Sequence, residues 1–201
     1  MTAGCIVLIR HGETQWSRTG RHTGLTDLPL TPEGEEAARS LKPLLPMAFD
    51  LVLSSPLQRA RRTAELAGLH LTAVDPDLLE WDYGAWEGLT TAEIRAQRHD
   101  ASWVIWNQPI PSGQTPGEQL ADIAARTDHV IERCLPVVRA GGRCALIAHG
   151  HVLRILTARW LGLEARAGRL FALNSATLST LGFEHEQQVI GTWNSRAALT
   201  R

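Results

Sequence analysis

Two histidines in this chain each follow an apolar run and precede a glycine. The segments are Ile6-Val7-Leu8-Ile9-Arg10-His11-Gly12 and Cys144-Ala145-Leu146-Ile147-Ala148-His149-Gly150. Short apolar runs of this kind read as buried strands. In open α/β sheets, ligands bind just beyond the carboxyl ends of the strands. A histidine placed there can serve as base, nucleophile or metal ligand, or simply pack. If the two strands are parallel neighbours, both imidazoles emerge side by side at one edge. The glycine after each permits a sharp exit and close approach of a ligand.

Charged residues extend the set. Arg10 precedes His11 directly. In Ser54-Ser55-Pro56-Leu57-Gln58-Arg59-Ala60 a second strand ends, a helix begins, and Arg59 lies in its first turn. A helix N-terminus already attracts anions through free N–H groups and the dipole. An arginine there runs against the dipole and points to an anion that it helps to bind. Arg10 and Arg59 together can grip phosphoryl oxygens with paired hydrogen bonds. Arg61 and Arg62 read as a solvated helix face. Glu80 enters a loop carrying Trp81 and Trp86, and a carboxyl group between aromatic walls can have a raised pKa and act as general acid. Glu87 is a competing carboxylate that reads as a helix cap. Of the seven tryptophans, Trp160 and Trp193 read as core, whereas Trp103 and Trp106 either roof the site or pack.

These residue types suit phosphoryl transfer to an imidazole. The attacking nitrogen must offer a lone pair, and neighbouring arginines disfavour a second positive charge on it. The same arginines stabilise charge on the equatorial oxygens of the transition state. A carboxylic acid protonates the departing alkoxide, and its conjugate base then activates water.

The elements that must hold these groups read as α/β. Strand one spans Cys5 to Ile9, and a polar loop runs from Gly12 to Leu30. Thr31-Pro32 is an N-cap with proline at the first helical position. That helix runs to about Leu45, where Pro43 and Pro46 crowd its end. Strand two is Leu51 to Leu53, and Pro56 opens a helix to about Ala67. A short strand lies near Leu71 to Val74, and Thr91 to Arg98 reads as helix. Residues 100 to 114 read as loop. Thr115-Pro116-Gly117-Glu118 reads as a capping box for a helix reaching about Val138, with a kink at Pro136. Gly141-Gly142 stops it. Strand four, Cys144 to Ala148, is followed by a helix from Val152 to Leu161. Ser175 to Phe183 and Gln188 to Trp193 read as a hairpin.

Composition bounds the rest. The 201 residues suffice for one well-cored domain, taken here as 1–201. A net charge of −1 argues against a nucleic-acid binder but not against a small anionic substrate. Cys5, Cys134 and Cys144 form no C-x-x-C pair and read as reduced thiols of a cytoplasmic protein. No apolar run approaches the roughly 18–20 residues of a membrane span. The apolar stretch before Arg10 is too short for a secretory leader.

Five segments in order resemble the histidine phosphatase superfamily, also called phosphoglycerate-mutase-like, over almost the whole chain. They are Leu8 to Thr14, Gly20 to Thr31, Ser55 to Thr63, Glu80 to Gly88, and Ala148 to Gly150. The resemblance implies a three-layer α/β/α sandwich with a mostly parallel sheet. It implies that His11 becomes phosphohistidine, that Arg10, Arg59 and His149 form the phosphate pocket, and that Glu80 is the acid. Thr23 and Gly24 would contact substrate, with Tyr83 and Gly150 lining the pocket. No metal or cofactor is implied. Phosphoglycerate mutases usually carry Glu-Arg-His-Tyr-Gly in the acid loop. Here it reads Glu80-Trp81-Asp82-Tyr83-Gly84, which resembles the phosphatase branches, among them sedoheptulose bisphosphatases and broad acid phosphatases. The expected activity is metal-independent hydrolysis of a small phosphorylated metabolite such as a sugar phosphate. Three alternatives stand beside it. They are a cofactor-dependent phosphoglycerate mutase, a non-catalytic phospho-ligand module, and a metal hydrolase using His149, His151, His11 and Glu80. The oligomeric state is open.

Overall fold

A computed structural model describes residues 4–45 and 48–196. Its strands are β1 (Cys5–Arg10), β2 (Leu51–Ser54), β3 (Ala73–Val74), β4 (Arg143–Ala148), β5 (Leu178–Glu184) and β6 (Gln187–Ser195). They form one sheet in the order β3-β2-β4-β1-β5-β6. The first four run parallel to one another, while β5 is antiparallel to β1 and β6 to β5. In the β1–β4 pair Arg10 stands opposite Ala148. His11 and His149 are therefore the next residues on adjacent parallel strands, as the sequence suggested.

Alternation along the strands divides the core in two. Ile6 and Leu8 of β1, with Leu146 of β4, pack against α5 (Leu120–Arg139) and α6 (Gly150–Trp160) through Ile123, Val130, Val152 and Leu156. Val7, Ile9 and Ile147 face the other way, onto Ala37 of α2 (Pro32–Ser40) and Ala60 and Ala64 of α3 (Gln58–Leu66). The result is the expected three-layer sandwich. Strands buried on both faces must be apolar at every position, hence the unbroken runs. Each such aliphatic side chain contributes about 1.5–3 kcal/mol relative to exposure. The site is thus mounted on the most tightly held segments of the chain.

Several boundaries differ from the sequence reading. Inside the loop after Gly12 lies a short helix, α1 (Gln15–Thr19), held by reciprocal bonds between Thr14 and Ser17 and closed by Gly20 at φ 72°. Thr31 does cap α2, its Oγ1 accepting from Gly34 N at 3.0 Å. The helix ends at Ser40, and only a 3-10 turn, Lys42–Leu44, continues it. Pro46 lies outside the described residues. The helix after Pro56 starts at Gln58, whose N–H is met at 2.8 Å by Asp27 Oδ1 from a distant loop. Thr115 caps nothing, because its hydroxyl donates to Asp82 Oδ1 at 2.5 Å. Instead α5 opens at Leu120 under a Gln119–Asp122 capping box and runs through Pro136 to Arg139. The third strand shrinks to two residues, Ala73–Val74. The helix α4 (Thr91–Arg98) is as expected, and α6 begins at Gly150, directly on His149.

Candidate active site

His11 extends the β1–β4 ladder by one bond, its N–H reaching Ala148 O at 3.0 Å. The next residue must be glycine. A Cβ on Gly12 would fall 2.4 Å from Gly34 O, so the backbone here lies directly against the start of α2. The His11 and His149 rings stand edge to face with centroids 5.0 Å apart, and both side chains are buried. The His11 Nδ1 lies 2.6 Å from Gly12 O. A carbonyl can only accept, so Nδ1 carries the proton and Nε2 keeps the lone pair. Burial first, then Arg59 and Arg10, push the His11 pKa well below its ordinary value, against a smaller opposite effect of the Gly12 bond.

Arg59 is fully buried at the second position of α3. Its Nε donates to His149 Nδ1 at 3.1 Å, Nη1 to Thr26 O at 2.8 Å, and Nη2 to Thr23 O at 3.2 Å and Gly24 O at 2.8 Å. Thr23 and Gly24 thus meet the site through their carbonyls, folded onto the guanidinium. Glu87 fixes the same loop, accepting from Gly24 N at 2.9 Å and Thr26 N at 3.1 Å. The carboxylate read as a helix cap is therefore a loop clamp, and Thr90 with Glu93 caps α4 instead. Arg10 donates from Nη1 to Leu173 O, while its buried Nε has no partner. An unmet buried donor costs about 1–3 kcal/mol, which an incoming anion would recover. A Cβ on Gly150 would lie 3.3 Å from Arg10 Cζ, so that glycine leaves the guanidinium its room.

Glu80 sits otherwise than expected. Its Oε1 accepts from Trp81 N at 3.0 Å and Val152 N at 2.9 Å, and Oε2 from His151 N at 2.9 Å. The carboxylate is seated on the N-terminus of α6, where the helix dipole favours it, and its partners are backbone groups. The Trp81 indole turns its N–H to Glu118 O at 2.7 Å. Among the loop's carboxylates, Glu80 is the one whose charge acts on both Arg10 and Arg59. Asp82 is taken up by Thr115, Gly117 and Gly84.

Beside Glu80 lies an aromatic cluster. Tyr83 Oη is 2.6 Å from His151 Nδ1, and the His22 ring stands 4.9 Å from Tyr83 and 6.2 Å from His151. Burial raises the Tyr83 pKa, lowers that of His151, and brings His22 down to about 4. Trp106 and Trp103 are buried, Trp106 against His151 and Trp103 against Trp86, so both pack. Trp160 is core, and Trp193 is half-buried, packed against the edge of that core and tilted at 58° to Phe171, with its N–H on Ala172 O. Arg62 is paired with Glu35 and Glu65 rather than freely solvated.

His149 and His151 take different partners, Arg59 and Ser55 for one and Tyr83 for the other. Their H-x-H spacing does not make them a ligand pair. Ser55 and His22 are the site residues that sequence reasoning left without a role, and His151, considered there only as a metal ligand, is instead the partner of Tyr83. Ser55 stood inside the Arg59 segment and His151 two positions after His149, but nothing local marked their partners.

Known proteins resemble this chain over nearly its whole length. The family model described as histidine phosphatase superfamily (branch 1) matches residues 6–196. An acid phosphatase of Mycobacterium tuberculosis is 39% identical over 184 residues, covering 90% of this chain and 87% of that protein. The sedoheptulose 1,7-bisphosphatase of Saccharomyces cerevisiae is 36% identical over 189 residues, covering 81% and 69%. The solved structure of the open reading frame Rv3214 from Mycobacterium tuberculosis superposes with a TM-score of 0.88 at 36% identity, covering 95% of this chain and 97% of that one. With its paired histidines, its buried arginines and these relatives, the chain belongs to branch 1 of the histidine phosphatase superfamily.

Proposed function

We propose that this chain hydrolyses a small phosphorylated metabolite, such as a sugar phosphate, through a phosphohistidine on His11 and without a metal. The observation that carries the reading is the state of His11, a neutral imidazole with Nδ1–H tied to Gly12 O and a lone pair on Nε2 beside two buried arginines. In the first step Nε2 attacks phosphorus and the P–O ester bond breaks. Glu80 enters this step as the carboxylic acid, its Oε2, which accepts a single N–H, carrying the proton that passes to the departing alkoxide. In the second step the Glu80 carboxylate removes a proton from water, which attacks phosphorus, breaks the P–N bond and frees inorganic phosphate. The Arg10 Nε and the one Arg59 N–H left after its four internal bonds receive the phosphoryl oxygens.

Thr23 and Gly24 hold Arg59 in place, Gly150 leaves room for Arg10, and Tyr83 lines the leaving-group side. The two relatives above are named as hydrolases and others at 29–35% identity as phosphoglycerate mutases, so it is the acid loop, with its departure from the mutase pattern, that favours hydrolysis. Three free cysteines fit a cytoplasmic setting. Among the described residues no helix is long and apolar enough to cross a membrane.

The test is phosphate release from a panel of sugar phosphates, phosphoglycerates and nucleotides, with and without chelator. Chelator-insensitive release is expected. Interconversion of phosphoglycerates much faster than release would assign a mutase, and tight binding with no turnover would assign a non-catalytic module.

A further inference from the structure

His149 has both ring nitrogens engaged by protein. Nδ1 lies 3.1 Å from Arg59 Nε, and Nε2 lies 2.7 Å from Ser55 Oγ. All three side chains are fully buried. The neighbours are brought together by the sheet. Ser54 of β2 pairs with Ile147 of β4, and Ser55 N bonds Ile147 O at 2.9 Å. The residues that follow the two strands therefore emerge side by side.

The protons are determined by what each partner can do. Arg59 Nε always carries hydrogen and has no lone pair, so His149 Nδ1 must be the acceptor. A neutral imidazole holds one proton, which then sits on Nε2 and is donated to Ser55 Oγ. Burial, with Arg59, His11 and Arg10 nearby, keeps this ring neutral.

We infer that Ser55 is a positioning residue for the reaction: by accepting from His149 Nε2 it fixes the tautomer whose Nδ1 lone pair holds the Nε–H of Arg59. Three of the four acceptors around Arg59 are carbonyls of one loop, Thr23 to Thr26. His149 is the acceptor that belongs to the rigid sheet, so it sets the guanidinium plane against the frame that carries His11. Without the serine hydroxyl, the Nε2 proton is buried with no acceptor. Moving that proton to Nδ1 would turn two donors against each other and swing Arg59 away from the phosphoryl group.

The bearing on catalysis rests on the hydrolase reading above, whereas the tautomer itself does not. The experiment labels the full chain with ring-¹⁵N histidine and compares wild type with Ser55→Ala and Ser55→Thr. In wild type and in Ser55→Thr, the His149 signals should show protonated Nε2 and bare Nδ1. In Ser55→Ala they should move toward protonated Nδ1, and kcat/KM for nitrophenyl phosphate should fall by about 10²-fold, the scale of a small misplacement of a catalytic group. The Ser55→Thr variant should recover most of that loss. A wild-type His149 protonated on Nδ1 overturns the inference without any variant. So does a Ser55→Ala enzyme with unchanged ring signals or with kcat/KM within about twofold of wild type. A wild type that cleaves no phosphomonoester would sink the hydrolase reading, while the ring nitrogens still decide the role of Ser55.

Discussion

The Nδ1–H of His11 is donated to the carbonyl of Gly12 at 2.6 Å, inside the residue's own loop. That one bond decides which nitrogen is free to attack. It also depends on Gly12, whose backbone has no room for a side chain beside Gly34. Nucleophile orientation and helix packing are therefore one structural fact.

His11→Ala should abolish turnover while leaving the fold intact, because the apolar residues that anchor β1 precede it. Wild type quenched in the presence of labelled phosphoester should retain base-stable, acid-labile phosphate, and the variant none. Normal activity in the variant would end the nucleophile assignment.

Glu80→Gln should separate substrates by leaving group. A sugar alkoxide needs a proton as the bond breaks, whereas nitrophenolate departs nearly unaided. General acid catalysis contributes about 10²–10⁴-fold, so sugar-phosphate turnover should fall by that order and nitrophenyl phosphate turnover far less. Equal losses together with a lower melting temperature would mean that Glu80 only anchors the start of α6, through the backbone of His151 and Val152.

Glu87→Ala should loosen the loop that wraps Arg59. Hydrogen bonds to a charged group are worth about 1.5–3 kcal/mol, and Glu87 receives those of Gly24 and Thr26. The expected result is a raised KM with a smaller change in kcat, and a lower denaturation midpoint in urea. An unchanged KM would separate this loop from substrate binding.

Stability should decline on mild acidification. His11, His22, His149 and His151 all have folded-state pKa values below 6.5, their ordinary value, chiefly through burial. Between the two values the unfolded chain binds more protons, so unfolding free energy rises with pH there. Their contribution is complete above about pH 6.5 and is lost as pH falls below it, the window for His22 reaching down to about 4. Each group adds a slope of at most about 1.4 kcal/mol per pH unit. Urea unfolding followed from neutral to weakly acid pH checks this, and a flat profile would contradict neutral burial of the four rings.

Much of the site was legible in the sequence because strands announce themselves locally. Two apolar runs, each ending in histidine and glycine, can be paired on paper, and the β1–β4 register places His11 and His149 where that pairing requires. Arg59 in a first helical turn and Glu80 entering its loop were visible for the same reason, since their neighbours in sequence define their setting. By itself the sequence determined the layers, the family, and the residue types at the strand ends.

Tertiary structure alone decided what those residues bond to. The cap of α3 comes from Asp27, the clamp on the Thr23–Thr26 loop from Glu87, and the partner of His149 from Ser55. Each joins residues far apart in the chain, and no propensity or spacing encodes such a pair. The seat of Glu80 shows the same limit. Tryptophans beside it in sequence suggested an aromatic wall, yet α6, some seventy residues on, supplies the N–H groups that hold it. Side-chain periodicity is read over a turn or a strand, whereas a proton's position depends on donors and acceptors that meet only when the sheet has closed.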